Sequence, residues 1–212
     1  MTEPLNDTNQ FAWARSMWKP FVDQAFDLKR RTGAPRDDSP EGILRRLQRL
    51  EDERDIELTF RRYHACYDAG DIEAILSCYT DDAIQINARG TYQGHDELRE
   101  SYRWLTDGQK FAIHHGTNVV VTLDEDDPDH ATLNAFWFSA VMTHQDKLLS
   151  CGGTYVHRMR RVDGDWLIAK QRITFNYLTK QSHIARKMGD SVPPAAGQVT
   201  TRDLVEERYL LT

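Results

Sequence analysis

Residues that can move protons occur at three separate places along this chain of 212 residues. Tyr67 and Asp68 stand side by side near the end of a segment with helical spacing, His114 and His115 form a pair, and His144 follows later. Histidine changes charge near neutral pH, and a carboxylate bonded to one ring nitrogen fixes its tautomer and raises its basicity. If the fold brings them together, these residues predict elimination, isomerisation or retro-aldol cleavage of an activated aromatic or carbonyl substrate.

Tyr63 precedes Tyr67 by four residues, so a helix would bring both hydroxyl groups to one face. A neutral tyrosine is a good donor to a developing oxyanion or a departing hydroxyl group, and it is a weak base. The same spacing fits an ordinary stripe of core residues, and that alternative stays open. Asp68 is harder to explain as a structural residue, because its charge would lie at the unfavourable end of the helix dipole.

Composition argues against several other classes of function. The net charge of −6 lacks the basic footprint that nucleic acids require. The cysteines, at positions 66, 78 and 151, have no CxxC spacing, which is typical of reduced thiols in a cytoplasmic protein. Neither a metal-binding HExxH pattern nor a phosphate loop or dinucleotide fingerprint occurs, so we expect no metal and no cofactor. A polar N-terminus without a long apolar run predicts no signal peptide and no membrane span.

The pattern of apolar residues divides the chain into three parts. We expect a helical N-terminal extension over residues 1–50, a main domain over 51–180 and a tail over 181–212. The extension contains an aromatic-rich stretch and a helix that begins at Ser39 and Pro40, a cap followed by a first-turn proline. It would pack on the main domain or on a second subunit, or form a lid over the pocket.

Within the main domain, helical spacing gives way to alternation after Lys110. Helical patterns cover residues 53–69, 72–79 and 94–106, and an edge strand is expected over 83–87. Alternating strands follow over 111–123, 131–144, 148–161 and 166–175, the last two joined by a hairpin turn at Asp163 and Gly164. This order predicts an α+β fold, a cone-shaped barrel in which three helices pack on a curved antiparallel sheet.

The stretch YDAGDIEAILSCYTDDAIQIN, which begins at Tyr67, resembles the SnoaL-like family, related to nuclear transport factor 2. It has the aspartate near the end of the first helix, the Gly-Asp turn, the short apolar helix and the DDA strand entry. The later segments GTYQGHDELRESY, HHGTN and RMRRVDGDWLIAKQRI follow in the same order. The resemblance covers roughly residues 51–180 and implies the cone-shaped fold, which hosts many unrelated reactions.

Among enzymes of this fold, scytalone dehydratase is most similar in its site residues. Its Tyr-Asp pair and its two histidines match, in order, Tyr67-Asp68, the pair His114-His115, and His144. A further pocket tyrosine of that enzyme falls on Asn87, and a pocket asparagine falls near Tyr155. Both are departures from the pattern of that enzyme, and we take both residues as candidate substrate contacts.

The bile-acid 7α-dehydratases, also of this fold, add two candidates. Their tyrosine five residues before the aspartate falls on Tyr63, and Arg172 is nearest to an arginine that they use late in the chain. The resemblance thus implies that Arg172 binds an acidic substituent. We add Trp104 as a further substrate-binding candidate.

The orientation of the histidine pair is left open by the sequence. Strand parity puts His115 on the same face as the large apolar residues of that strand. The family register, in which the histidine precedes an asparagine by four, selects His114 and Asn118. Gly116 could carry a bulge that shifts the parity. We rank His114 ahead of His115.

Our leading hypothesis is a cofactor-independent lyase, either a dehydratase or a deformylating or retro-aldol lyase, for a bulky aromatic or polycyclic small molecule. Asp68 with His114 or His115 would abstract the proton, and Tyr63, Tyr67 and His144 would activate the departing group. The alternatives are a non-catalytic small-molecule binding or dimerisation module, and the β-subunit of an aromatic-ring hydroxylating dioxygenase. We expect a homo-oligomer, a dimer or trimer, in the cytoplasm.

Overall fold

The computed structural model describes residues 36–180, in which three helices pack on a six-stranded sheet. In chain order the elements are α1 (Pro40–Asp68), α2 (Ile72–Leu76), β1 (Tyr79–Asn87), β2 (Gly90–Gln93), α3 (Gly94–Asp107), β3 (Gln109–Leu123), β4 (His130–Thr143), β5 (Leu148–Val162) and β6 (Asp165–Lys180). The predicted α+β fold is therefore confirmed. The predicted aromatic-rich stretch and the predicted tail lie outside the described residues.

Helix α1 begins where the sequence predicts it. The Oγ atom of Ser39 accepts a hydrogen bond from the backbone N–H of Gly42 at 3.1 Å, and Pro40 occupies the first turn, where its missing N–H costs nothing. The helix then continues without a break for 29 residues to Asp68. The two helical segments that the sequence suggested are thus one helix, which carries Tyr63, Tyr67 and Asp68 to its C-terminal end.

Gly70 and Asp71 separate α1 from α2. Gly70 has a φ of 69°, a left-handed conformation that costs glycine little, and so it lets the chain turn sharply after the helix. The Asp71 carboxylate accepts a hydrogen bond from the N–H of Ala74 at 3.0 Å and caps α2, as the sequence predicted. The end of α1 is therefore fixed in position, which matters because Asp68 is its last residue.

The sheet order is β2-β1-β6-β5-β4-β3. Strands β3 to β6 form the predicted antiparallel meander, whereas β1 pairs in parallel with β6, so the sheet is mixed. The predicted edge position of residues 83–87 is wrong, because the short strand β2 covers the outer side of β1. The turn between β5 and β6 has positive φ at Asp163 and Gly164, which confirms the predicted hairpin.

Helix α1 lies against the inner face of the sheet and contributes Ile56, Phe60 and Tyr63 to the core. It packs tightly on β3 at Gly116, where a Cβ atom would collide with the rings of Phe60 and His64. Only glycine permits this spacing, and it brings the end of α1 within hydrogen-bonding distance of β3. Among the helices in residues 36–180, none combines the length and the apolar character needed to cross a bilayer.

Candidate active site

A cavity of about 520 Å³ lies between the helices and the inner face of the sheet. Its walls are mostly aromatic and aliphatic, with a few polar groups, as in many small-molecule sites. The lining residues are Tyr63, Tyr67, Asn87, Ala88, Arg89, Trp104, Leu105, Gly108, Gln109, His114, Trp137, Ser139, Val141, Thr143, Leu149, Cys151, Tyr155, Ile173, Phe175 and Leu178. A ligand of one or two aromatic rings would fit this volume.

His114 lines this cavity, and its ring is tightly bonded to Asp68, which lies outside the lining. The Oδ1 atom of Asp68 lies 2.6 Å from the Nδ1 atom of His114, and its Oδ2 atom accepts the backbone N–H of His114 at 2.8 Å. The His114 side chain is only 7% exposed. Because Nδ1 is bonded to the carboxylate, Nε2 is the ring nitrogen left for a ligand in the cavity.

The two hydrogen bonds explain how a carboxylate is tolerated at the end of α1. The helix dipole presents partial negative charge at this end, which disfavours an anionic side chain. Charge-assisted hydrogen bonds from a backbone amide and an imidazole offset that repulsion, and each is stronger than a neutral one. Both donors belong to His114 on β3, so this single residue holds the Asp68 carboxylate in place.

His115 points away from the cavity. It pairs with Phe138 across β3 and β4, and the two rings stack with centroids 4.4 Å apart on the outer face of the sheet. Phe111 and Ile113 share this outer face and are about half exposed, whereas Ala112 is buried. The expectation from strand parity that His115 faces the core is therefore wrong, and the family register was the better guide.

A β-bulge explains the failure of strand parity. The pairing of β3 with β4 shifts between Thr117 and Val120, where Asn118 adopts a φ of 50°. Before the bulge the even-numbered residues face inward, and after it Val121 is buried. A bulge that shifts the parity is thus present, but at Asn118, two residues after the predicted position Gly116.

Tyr63 and Tyr67 both line the cavity and are buried. Burial raises the pKa of each phenol above its ordinary value, so both remain neutral donors over the working range of pH. The Tyr67 hydroxyl accepts a hydrogen bond from Gln109 Nε2 at 3.2 Å, and its ring packs edge-on against His114. The two hydroxyl groups thus share the cavity with the Asp68–His114 pair.

Three further candidates lie in the cavity wall. Asn87 is held by bonds from its Nδ2 to Gln85 Oε1 at 3.0 Å and to Ser101 Oγ at 3.2 Å. Tyr155 is buried, and desolvation raises its pKa well above the ordinary value. Trp104 is 56% exposed and therefore belongs to the mouth of the cavity.

The structure places His144 and Arg172 outside the cavity lining. His144 is exposed in the turn after β4, where its backbone N–H donates to the Gly108 carbonyl at 3.3 Å. Arg172 is exposed on the outer face of β6, while its neighbours Gln171 and Ile173 are buried. The cause is a second bulge, at Ala169, which reverses the parity of β6 as far as a further bulge at Asn176. The roles expected for these two residues therefore have no geometric support.

Trp137 is the main cavity residue that the sequence reasoning missed. It is buried, packs against Phe175 and Tyr155, and its Nε1–H has no hydrogen-bond partner within residues 36–180. The alternation of β4 was a usable signal, because Trp137, Ser139 and Val141 all face inward.

Behind Tyr63 lies a buried network of uncharged polar side chains. The Tyr79 hydroxyl lies 2.5 Å from that of Tyr102 and donates to Gln171 Oε1 at 2.7 Å. The Gln85 amide donates to Tyr102 at 2.8 Å and to Gln171 at 2.9 Å, and Tyr102 donates to Tyr63 at 3.3 Å. The network thus connects a cavity-lining phenol to the interior of the core.

Two other histidines are buried in this core without a bonded carboxylate. His157 lies 3.1 Å from the amide of Gln171, and burial lowers its pKa to about 3. His64 stacks on His114 with ring centroids 5.5 Å apart, and burial lowers its pKa to about 3 as well. Both are therefore neutral near pH 7.

A metal site needs three or more ligating side chains close together. Over residues 36–180, no group of three or more His, Cys, Asp or Glu side chains is arranged to hold a metal ion. The cavity lining instead offers one imidazole, bonded to the Asp68 carboxylate, one guanidinium at Arg89 and several neutral donors.

Sequence comparison places the described domain in a known family. The model of the SnoaL-like domain matches residues 48–172, which is more than half of the chain. A search of curated protein sequences finds no match.

Solved structures share the fold at low identity. Hexachlorocyclohexane dehydrochlorinase type 3 from Novosphingobium barchaimii is 21% identical with a TM-score of 0.59, and the match covers 70% of this chain and 99% of that one. A provisionally named scytalone dehydratase from Novosphingobium aromaticivorans is 16% identical with a TM-score of 0.58, covering 68% and 98%. A provisionally named aromatic ring hydroxylase from the same species is 23% identical with a TM-score of 0.58, covering 62% and 94%. At these identities the likeness establishes the fold alone.

Proposed function

The chain belongs to the family of SnoaL-like domains, and from that premise we propose that it is a cofactor-independent lyase for a bulky aromatic or polycyclic small molecule. The observation that carries the proposal is the Asp68–His114 pair, joined at 2.6 Å, in which His114 lines an apolar cavity. The side chains contribute proton transfers and hydrogen bonds, and the covalent changes take place within the substrate.

His114 acts as the general base in this proposal. Its Nε2 atom takes a proton from a substrate carbon, and the electron pair of the C–H bond forms the new C=C bond. Asp68 stabilises the resulting imidazolium and keeps the ring in the tautomer whose Nε2 can accept a proton. Such a base contributes about 10²–10⁴-fold to the rate.

Tyr63 and Tyr67 activate the departing group. The C–O electron pair leaves with the hydroxyl group, which takes a proton from the imidazolium or from a tyrosine that the imidazolium then reprotonates. The products are one alkene or arene and one water molecule, and the enzyme returns to its starting state. Because burial raises the pKa of both phenols, they donate hydrogen bonds rather than act as bases.

A retro-aldol or deformylating variant uses the same groups. There His114 takes a hydroxyl proton, the O–H electron pair becomes the C=O bond of the released aldehyde, and the electrons of the broken C–C bond form an enolate or phenolate that a tyrosine hydroxyl stabilises. The imidazolium then returns the proton to that anion, which restores the enzyme. Solved relatives of this fold are named for eliminations, a dehydrochlorinase and a scytalone dehydratase, and this favours the elimination form of the proposal.

A turnover screen tests the proposal. The purified full-length chain, treated with a chelator, is incubated with hydroxylated aromatic and polycyclic compounds, and products are identified by mass spectrometry. We expect a product lighter than its substrate by water or by formaldehyde, lost in Asp68→Asn and retained in Asp55→Asn. Asp55 is an exposed residue of α1 with the same charge, so it is a matched control.

The other functions are separate outcomes of the same screen. Tight binding of a compound without turnover would contradict the lyase and support a small-molecule binding module. Activity only with an added iron-containing subunit would likewise contradict it and support a dioxygenase β-subunit. Turnover that survives in Asp68→Asn would overturn the assigned base.

We propose further that the chain forms a homo-oligomer through the outer face of the sheet. Phe111, Ile113, Phe138 and Tyr177 are each about half exposed there, a cluster that an isolated subunit would leave in water. Light scattering on a sizing column is expected to give a multiple of 24.6 kDa, and a mass equal to that of one chain would contradict this proposal.

A further inference from the structure

Arg89 lies in the turn between β1 and β2 and lines the cavity. Among the described residues that form the cavity wall, it is the only one with a permanent charge, since the others are apolar, neutral polar or histidine. A full positive charge on an otherwise apolar wall calls for a specific explanation.

Arg89 is held in place without an acidic partner. Its guanidinium carbon lies 3.7 Å from the centroid of the Trp104 ring, and its backbone N–H donates to Asn87 Oδ1 at 2.9 Å. An arginine stacked through its face on an aromatic ring keeps its N–H edges for a planar anion. Within residues 36–180, no carboxylate lies within ion-pair distance of Arg89.

Other arginines of the domain show the contrast. Several are paired with carboxylates, among them Arg99 with Glu73 and Asp96, Arg160 with Asp82, and Arg161 with Asp52 and Asp129. Arg62 and Arg158 bond to the hydroxyl groups of Ser77 and Thr132. Arg89 is held by the Trp104 ring instead, so its charge is not neutralised by a neighbouring side chain.

The exposure of the lining residues distinguishes the mouth of the cavity from its inner end. Trp104 and Leu178 are more than half exposed and Arg89 is exposed, so these residues form the mouth. Tyr63 and Tyr155 are almost fully buried, and the His114 side chain is 7% exposed, so they form the inner end. A substrate whose reacting carbon reaches His114 would therefore place its other end near Arg89.

We propose that Arg89 and Trp104 form a clamp that binds a carboxylate of the substrate, so that the substrate is an aromatic acid. This inference rests on the proposed function, because it takes the cavity to be the substrate site. The guanidinium edge would bind the carboxylate through two hydrogen bonds, and Trp104 would cover the adjoining ring. The resemblance implied that Arg172 binds an acidic substituent, and we assign that role to Arg89 instead.

A binding measurement that needs no turnover tests the clamp. The probes are 2-naphthoate and its neutral counterpart 2-naphthamide, titrated into the full-length protein by calorimetry. We expect 2-naphthoate to bind about tenfold more tightly than the amide, a preference that added salt reduces. In Arg89→Gln this preference disappears, while the affinity for 2-naphthamide stays the same.

Two further variants test whether the preference for 2-naphthoate depends on the Arg89 guanidinium itself or only on positive charge near the cavity. Arg103→Gln removes an exposed charge next to Trp104 from a residue that does not line the cavity, and we expect it to keep the preference for 2-naphthoate. Arg89→Lys keeps the charge and loses the paired N–H edge, so we expect an intermediate preference.

Equal affinity for the two probes in the unaltered protein, or a preference that survives in Arg89→Gln, would overturn the clamp. This result is independent of catalysis, because neither probe is expected to react. If no compound is turned over in the mass-spectrometric screen but the preference for 2-naphthoate is observed, the lyase proposal is contradicted and the clamp is supported.

Discussion

Two buried polar regions of this domain lie side by side and differ in one chemical respect. In the first, the imidazole of His114 is bonded to the carboxylate of Asp68 and lines a cavity. In the second, the imidazole of His157 lies 3.1 Å from the Gln171 amide, deep in the core. Both rings are held by a polar side chain, but only the first has a negative charge beside it.

That difference distinguishes an imidazole that can take part in catalysis from one that only supports the fold. A buried imidazole with a neutral partner stays uncharged, and the pKa of His157 is accordingly lowered to about 3 by burial. A carboxylate stabilises the imidazolium, so the ring can accept a proton during a reaction. The uncharged network fixes the position of Tyr63, while the Asp68–His114 pair supplies a group able to change its charge.

The largest effect on activity is expected when the charged partner of His114 is replaced by a neutral one, like the partner of His157. Asp68→Asn gives His114 a neutral amide partner, as His157 has, and we expect kcat/KM to fall by about 10²–10⁴-fold. Steady-state kinetics on the substrate found by the screen would measure this. Asp55→Asn changes the same charge on the same helix and is expected to retain full activity, so an equal fall in both variants would contradict the account.

The second prediction concerns the scaffold. Gln171→Leu leaves the Tyr79 hydroxyl and the Gln85 amide short of an acceptor inside the core, so we expect the free energy of unfolding to fall by about 3 kcal/mol. Urea unfolding followed by circular dichroism would measure it. Gln145→Leu, in an exposed turn, is the control and should change stability little. An unchanged unfolding midpoint in Gln171→Leu would show that the network adds nothing to stability.

The third prediction follows from the two neutral histidines. His157 and His64 have pKa values lowered to about 3, below the ordinary 6.5 of the unfolded chain. The unfolded state therefore binds more protons between these values, and stability is complete above pH 6.5 and declines as the pH falls towards 3. Each histidine contributes a slope of about 1.4 kcal/mol per pH unit in that window.

Unfolding free energies measured between pH 4 and 7 would check these slopes. His157→Gln should remove one histidine's share of the dependence, whereas His144→Gln, at an exposed position, should leave it unchanged. A pH dependence that is identical in His157→Gln and the unaltered protein would contradict the assignment of a neutral buried histidine.

The sequence predicted those parts of the site that depend on local pattern. Ser39 and Gly70 mark the ends of helices by their own conformational preferences, and the Asp68 position at the end of α1 follows from them. The family pattern then connected this aspartate with the histidine pair far along the chain. No local rule would have joined residues 68 and 114.

Two of the errors lie where a strand gains one extra residue. The bulge at Asn118 misled the parity argument for His115, and the bulge at Ala169 turned Arg172 outward. Such bulges arise from the pairing of neighbouring strands, which a single strand's sequence does not contain. Arg89 was missed for a related reason, since it enters the cavity from a turn without periodicity.

A comparison of His114→Gln with His115→Gln tests the central claim most directly. The two residues are adjacent and identical, but one is bonded to Asp68 in the cavity wall and the other stacks on Phe138 outside it. We predict that His114→Gln lowers kcat/KM by about 10²–10⁴-fold while His115→Gln keeps it within about twofold. Equal, mild losses in the two variants, both correctly folded, would contradict the account.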